Sequence, residues 1–484
     1  MYDIFAAKSI TENGAMGYAE TGNPVLDAYY KVGGSRRAEE SSIREAFANA
    51  YAFDKKIALR YLFFARDVRG GMGERRYFRI CMKYICENDP QTAEKLYSLI
   101  GEYGRYDDLV YLYENCVSAR PAIVKVIRDT LDSDIISMRM GKSVSLLAKW
   151  LPSTNTSSRK TTRLATMLAE DLYPYSPRIN NRKMTSIVTY RHNIVGLRKY
   201  IDVLEQKISA GHWGSVDYSS VPSKANVKYK DAFLRHDADR RIDYLNAVSA
   251  GTAKMNAGVL YPYDVIASYK NNRYGMVSTD DTLESAWKNL TDFSMSDDTI
   301  VVADGSGSMS CPVSASGKTT AWDVATSLAI YFAEKAKGEF KDKYITFSSR
   351  PQLVDLSTCT TLAQKINIAV QHNECSNTNI ERTFDLILNE AIRKGMSQSE
   401  LPKNVLIISD MEFDGATTTS RHSYWYDDEY TDTSNDTLFE TIAEKFRSHG
   451  YDMPKCIFWN VNSRTNTIPM RTNKNGVILL SRVG

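Results

Sequence analysis

The 484 residues predict a multidomain chain in which an N-terminal all-α solenoid or ring precedes an α/β, doubly wound, Rossmann-like domain. Three observations carry that prediction. Apolar side chains recur at helical spacing through residues 36–290. From residue 299 onward short β-branched runs alternate with helical stretches, the pattern of a mostly parallel sheet covered on both faces. The charge also divides, with 42 Lys and Arg against 36 Asp and Glu in residues 1–298, and 19 against 22 in residues 299–484. The expected divisions are an N-terminal segment at 1–35, a helical module at 36–290 and the α/β domain at 296–484.

In the first part Ile43, Phe47, Ala50, Tyr51, Ile57, Tyr61 and Leu62 keep one helical period. So do Ala93, Leu96, Tyr97 and Ile100, and then Leu109, Leu112, Tyr113 and Cys116. Further helices are expected over 123–136, 163–172 and 199–208. Many short antiparallel helices over so long a stretch favour a solenoid or ring over one bundle, although the sequence shows no fixed repeat. In the second part strands are expected at 299–303, 343–347, 404–409, 455–461 and 477–480, and helices at 322–336, 361–370, 380–391 and 438–447.

A composition of 43% hydrophobic and 11% aromatic residues supports large buried cores and excludes a disordered chain. No apolar stretch approaches the roughly 20 residues that span a bilayer, and residues 1–20 lack a secretory-signal pattern, so a cytoplasmic protein without membrane contact is expected. Seven cysteines, Cys81, Cys86, Cys116, Cys311, Cys359, Cys375 and Cys456, have neither zinc-site spacing nor the even count of a disulfide framework, and read as free thiols.

The most informative motif follows the run 299–303. Asp304-Gly305-Ser306-Gly307-Ser308 places one carboxylate and two hydroxyls on a tight loop at a strand's carboxyl end, where open α/β sheets bind ligands. Oxygen-only donors suit Mg2+ or Mn2+. Two later segments offer partners: Thr378, just before the helix at 380–391, and Asp410, which ends the apolar run 405–409. Two carboxylates and three hydroxyls balance a divalent charge. An open coordination position then attracts an oxyanion from outside, either a protein carboxylate or a nucleic-acid phosphate.

Enzyme signatures fail on inspection. Ser314 to Thr319 resembles the end of a phosphate-binding P-loop, but Pro312 stands where the first glycine is required, and Lys318 and Thr319 are expected to open a helix. Neither Ser306 nor Ser308 sits in a Gly-x-Ser-x-Gly elbow, and His372 is the one histidine near these loops. No nucleophile stands with its base. The chain is not expected to be an enzyme, and no catalytic residue is assigned.

Asp304-x-Ser306-x-Ser308, Thr378 and Asp410, in that order, resemble the metal-ion-dependent adhesion site (MIDAS) of a von Willebrand factor A domain. The resemblance covers about the last two-fifths of the chain. It departs at Asn377, where that family carries glycine. It implies a doubly wound domain whose metal site takes an acidic residue from a protein partner.

The basic excess concentrates in residues 139–199, which hold 12 Lys and Arg, Arg159, Lys160, Arg163, Arg182, Lys183, Arg191, Arg198 and Lys199 among them, against Glu170 and Asp171 alone. Interleaved Tyr173, Tyr175, Tyr190, His192 and Tyr200 add stacking surface to phosphate contacts, as RNA with unpaired bases requires. The ordinary alternative is a solvated helix face. A second basic spot, Arg66-Asp67-Val68-Arg69-Gly70-Gly71-Met72-Gly73-Glu74-Arg75-Arg76, crowds four arginines at a helix start and is open to two readings: a glycine loop that clamps phosphate, or a helix–helix turn whose arginines pair with acids.

A basic helical array before such a domain resembles the Ro ribonucleoprotein family, whose helical part is the TROVE ring. Residues 66–78 (RDVRGGMGERRYF), 213–241, 254–266 (KMNAGVLYPYDVI) and 408–414 are similar to a Ro-like family of unknown function. The resemblance implies a doughnut of HEAT-like helices that threads the single-stranded end of a structured or misfolded noncoding RNA and binds other RNA on its basic rim. Competing readings are a metal-dependent protein–protein adaptor or assembly component without nucleic acid, and a metal-dependent hydrolase. Residues 415–435, with Tyr424-Trp425-Tyr426-Asp427-Asp428-Glu429-Tyr430, form a polar loop that reads either as a contact for a protein partner or as a surface insertion.

Overall fold

The computed structural model describes residues 8–10, 16–18, 22–36, 38–174, 182–202, 204–269, 275–292, 298–313, 319–373, 379–410, 435–461 and 477–481. The chain divides into two compact units, residues 39–217, and residues 1–38 together with 218–484.

The first unit is helical. Its longer helices are α1 (Glu40–Phe53), α2 (Lys55–Arg66), α3 (Arg75–Asn88), α4 (Tyr106–Asn115), α5 (Arg120–Arg139), α6 (Arg159–Leu172) and α7 (Arg182–Ile201). The single stripe expected from Ile43 to Leu62 is cut at Asp54, whose side chain accepts the Ile57 amide at 2.9 Å and caps α2. The cut rotates the second half of the stripe. Ile43, Phe47, Tyr61 and Leu62 are buried, but Ile57 is 48% exposed. The helix expected at 199–208 is likewise two elements, because Asp202 takes a left-handed φ of 53° between α7 and the short helix Leu204–Ser209.

The second unit holds a hairpin of β1 (Lys8–Ile10) and β2 (Met16–Tyr18) and a six-stranded sheet. The sheet is built from β3 (Thr299–Asp304), β4 (Lys343–Phe347), β5 (Leu353–Asp355), β6 (Asn404–Ser409), β7 (Lys455–Asn460) and β8 (Val477–Ser481), in the order β5-β4-β3-β6-β7-β8. All the expected strands are present. The short β5, which sequence periodicity did not reveal, pairs antiparallel with β4 and makes the sheet mixed. Strands β3 and β6 are buried at every position, which is why each reads as an unbroken apolar run.

Helices cover both faces. Ile300, Val302, Ile407 and Phe458 pack beneath α13 (Ile380–Lys394) and α14 (Asn435–Ser448). On the opposite face lies α11 (Ala321–Lys335), buried from Ala321 through Ala333. A helix buried all round needs cover on two sides. The sheet supplies one, and α8 (Ala238–Ser249), α9 (Pro262–Ile266) and α10 (Asp281–Lys288) supply the other, with Leu245, Val265, Leu283 and Trp287 in the same cluster as Val301 and Leu328. The expected division near residue 290 therefore falls inside a compact unit. Residues 218–290 fold with the sheet.

One further helix, α12 (Leu362–Gln371), is held from this layer: the Glu284 carboxylate accepts the Leu362 and Ala363 amides at 2.9 and 3.1 Å. The helix expected to open at Lys318 and Thr319 begins instead at Ala321, with Thr320 and Asp323 forming a capping box.

Candidate metal centre and basic surfaces

The sheet order places the switch point between β3 and β6. The chain leaves β3 toward β4 on one side and returns to form β6 on the other, so a crevice opens at their carboxyl ends. Asp304 ends β3, and Asp410 directly follows β6. Parallel pairing of Ala303 with Ile408 brings the next residues, Asp304 and Ser409, side by side. Both carboxylates are buried, Asp304 at 2% exposure and Asp410 at 1%.

The loop after β3 is organised around Asp304. Its Oδ1 accepts the Ser306 amide at 2.8 Å, and its Oδ2 accepts the Ser409 hydroxyl at 2.6 Å. The hydroxyls of Ser306 and Ser308 lie 2.9 Å apart. The structure thus brings Asp304, Ser306 and Ser308 together and sets Asp410 on the adjoining strand end. Thr378 lies outside the described residues; its neighbour Asn379 caps α13 by accepting the Arg382 amide at 2.9 Å.

Like charges on neighbouring strand ends repel, and burial strengthens the repulsion. A hard divalent cation relieves it, and two carboxylates with serine hydroxyls are a fitting donor set. Among the described residues no group of three His, Cys, Asp or Glu side chains is assembled as a metal cluster.

Sequence reasoning missed two residues here. Ser409 is 1% exposed and orients Asp304; its signal was a hydroxyl ending an otherwise apolar strand immediately before Asp410. Asn373 lines a cleft beside Asp304 with Trp322, Thr346, Ser348 and His372. Its Oδ1 accepts Trp322 Nε1 at 3.2 Å, whereas its buried Nδ2 has no hydrogen-bond partner. His372 Nδ1 lies 2.9 Å from Gln352 Oε1. Only three-dimensional packing brings these groups together.

The basic segments fall into two classes. The glycine loop is a turn tied back onto α2: the amides of Met72, Gly73 and Glu74 bond the carbonyls of Phe64, Asp67 and Ala65 at 3.0, 3.1 and 2.7 Å. A Cβ on Gly71 would stand 1.9 Å from the Phe64 carbonyl oxygen, and Gly73 has φ +70°. The turn itself accounts for the glycines. Arg69 donates to the Glu102 carbonyl at 2.9 Å, while Arg75 and Arg76 are exposed on the first turn of α3.

In the second basic segment Arg198 is a structural residue. Its guanidinium donates to the carbonyls of Ala148 and Leu151 and to the Ser153 hydroxyl at 2.8, 2.7 and 2.7 Å, and burial lowers its pKa. Tyr190 is 1% exposed and donates to the Pro152 carbonyl, so its ring is core. Lys160 pairs with Glu114 at 2.8 Å. Arg159, Arg163, Arg191, His192 and Lys199 are exposed. Arg182 and Lys183 open α7. Tyr175 and the acidic-aromatic loop at 415–434 lie outside the described residues.

Among the described residues no helix is long and apolar enough to cross a membrane. The six described cysteines are free, and Cys81, Cys86, Cys116 and Cys456 are buried.

A family model described as "Domain of unknown function (DUF7788)" matches residues 298–483. One described as "Domain of unknown function (DUF2828)" matches residues 11–100 and 121–297. A relative from Acanthamoeba polyphaga mimivirus, "Uncharacterized protein L728", is 26% identical over 510 residues, covering 98% of this chain and 82% of the relative. No solved structure matches. The DUF2828 segments span more than half of the sequence, and the chain belongs to that family.

Proposed function

We propose that this chain is a Ro-like RNA-binding scaffold whose α/β unit is a von Willebrand factor A-like contact module for Mg2+ or Mn2+. The observation that carries the reading is the meeting of the Asp304, Ser306 and Ser308 loop with Asp410 at the switch point of the sheet. Asp304, Ser306, Ser308 and Asp410, with Thr378, would hold the cation. When bound it supplies an open position for an oxyanion, which suits the carboxylate of an acidic protein partner. Ser409 keeps Asp304 in place. The exposed Arg159, Arg163, Arg191 and Lys199 support RNA contact by the helical unit.

Calorimetric titration with Mn2+ tests the metal half: binding to the wild type that disappears in Asp304→Ala supports it, and equal binding by both proteins removes it. Binding to a hairpin RNA with a single-stranded 3′ tail, against duplex DNA over a salt series, tests the RNA half. Tail-dependent binding with a steep salt slope supports the scaffold; affinity no higher than for duplex DNA overturns it.

A metal-dependent protein adaptor without nucleic acid is the second reading. It is favoured by the inward use of Arg198 and Tyr190, which leaves less of the basic segment available to RNA. It predicts a partner that is lost in Asp304→Ala and a purified protein free of nucleic acid.

A further inference from the structure

The turn after α2 and the first turns of α3 and α4 assemble an arginine network whose parts are unequal. Asp108, fully buried, accepts Arg66 Nε at 2.7 Å on one oxygen and Arg79 Nε at 2.6 Å on the other. Asp107 accepts Arg105 through both oxygens, at 3.0 and 2.5 Å, and Arg79 Nη2 at 3.0 Å. Four guanidiniums thus surround two carboxylates. Arg75 is the most loosely held: its ion pair with Asp107 is 3.6 Å long, beyond hydrogen-bond length, with 48% of its side chain exposed.

The electrostatics agree with that geometry. Partial burial, then the positive charges of Arg105 and Arg79, lower the pKa of Arg75 against the pull of Asp107 and Asp108. Its neighbours lie over aromatic rings. The Arg105 guanidinium lies 4.0 Å over the Trp150 ring, and that of Arg79 lies 4.8 Å over Tyr111. Gly104 leaves room for the network, since a Cβ there would stand 3.0 Å from both Arg66 Nε and Asp108 Oδ2. Two further acids lie in the turn: Asp67, which accepts the Arg69 amide at 2.9 Å, and Glu74, 5% exposed and directly before Arg75; with Arg69 and Arg76 counted as well, arginines still outnumber carboxylates.

We infer that Arg75 and Arg105, beside Asp107, form a binding site for a phosphate group, supplied by an RNA backbone or by free phosphate. A planar guanidinium presents paired N–H donors that match two phosphate oxygens, and a fixed cluster with surplus positive charge loses little on binding an anion. For the polymer the inference rests on the RNA reading above; for the phosphate group it stands alone.

The test uses the full chain as wild type, Arg75→Ala and Arg75→Glu, with inorganic phosphate and the 3′-tailed hairpin RNA as probes. Arg75 is half exposed, so both variants are expected to melt in chloride as the wild type does, and Arg75→Ala carries the test if the reversal fails to fold. Phosphate should raise the melting temperature of the wild type above chloride at equal ionic strength, and the increment should vanish in the variants. RNA affinity at low salt should fall about tenfold in Arg75→Ala, with the salt slope reduced by about one. Phosphate stabilisation through Arg75 without RNA binding would assign the site to free phosphate and overturn the RNA reading alone. RNA bound equally by all three proteins, with no phosphate effect, would overturn the site and leave the RNA reading standing.

Discussion

The two compact units each bury an arginine, and they accommodate it differently. In the helical unit Arg66, 2% exposed, is neutralised by the fully buried Asp108 at 2.7 Å. In the α/β unit Arg241, fully buried, is set among the rings of Tyr218, Phe233 and Tyr244 at 5.1, 5.2 and 5.5 Å and donates to Asn226 Oδ1 at 3.0 Å. No carboxylate hydrogen-bonds Arg241 among the described residues, and burial lowers its pKa. The first unit cancels charge with charge. The second disperses a cation over ring faces and sets two of its buried carboxylates, Asp304 and Asp410, on neighbouring strand ends at the sheet's carboxyl edge. Carboxylates gathered that way suit a cation from outside.

The sharpest test of that contrast is Asp304→Ala, which should abolish divalent-cation binding in a calorimetric titration while the melting curve of the protein stays cooperative. Next in size is Asp108→Ala, expected to destabilise the helical unit by about 3–5 kcal/mol in urea unfolding because it strands the Arg66 guanidinium. Arg241→Met, which removes a cation without leaving a buried carboxylate behind, should change stability by less than about 1.5 kcal/mol. If the two substitutions proved equally damaging, the distinction between the units would collapse. Ser409→Ala, which removes only the hydrogen bond that orients Asp304, should weaken metal affinity about 10- to 100-fold.

The smallest effect is a difference in acid response. In the helical unit Asp89 is held well below the ordinary carboxylate range by Lys55 and by the Thr92 and Tyr51 hydroxyls. Asp107 is lowered too, the Arg105 hydrogen bond and neighbouring arginines prevailing over burial. A lowered folded pKa contributes stability that is complete above the unfolded value of about 3.9 and is lost as pH falls through the folded value. In the α/β unit burial raises Asp323, so its contribution is greatest below the unfolded value and declines as pH rises through the folded one. Hydrogen exchange resolved by unit should therefore show protection falling in residues 39–217 below about pH 4 and shifting oppositely around Asp323, with Asp323→Asn cancelling the second change.

Much of this was legible in the sequence where one physical pattern acted alone. Buried parallel strands leave continuous apolar runs, so β3, β4, β6, β7 and β8 could be read directly, and Asp304, Ser306, Ser308 and Asp410 were located from the ends of those runs. What eluded it involved competition between patterns. The apolar stripe of α1 and α2 conceals the cap at Asp54, and the 3.6-residue period says nothing about which unit a helix joins. Composition alone likewise counted Arg198 as surface charge, although backbone carbonyls take up its guanidinium.

The burial of α11 on every side reaches beyond the candidate metal centre. A fragment begun at residue 296 would keep the sheet and all its strands but strip α8, α9 and α10 from one flank, leaving an apolar helix open to water. Such a piece would be sticky and prone to self-association. The natural seam for cutting this molecule lies near residue 217, about eighty residues upstream of the point where the strands of the six-stranded sheet begin.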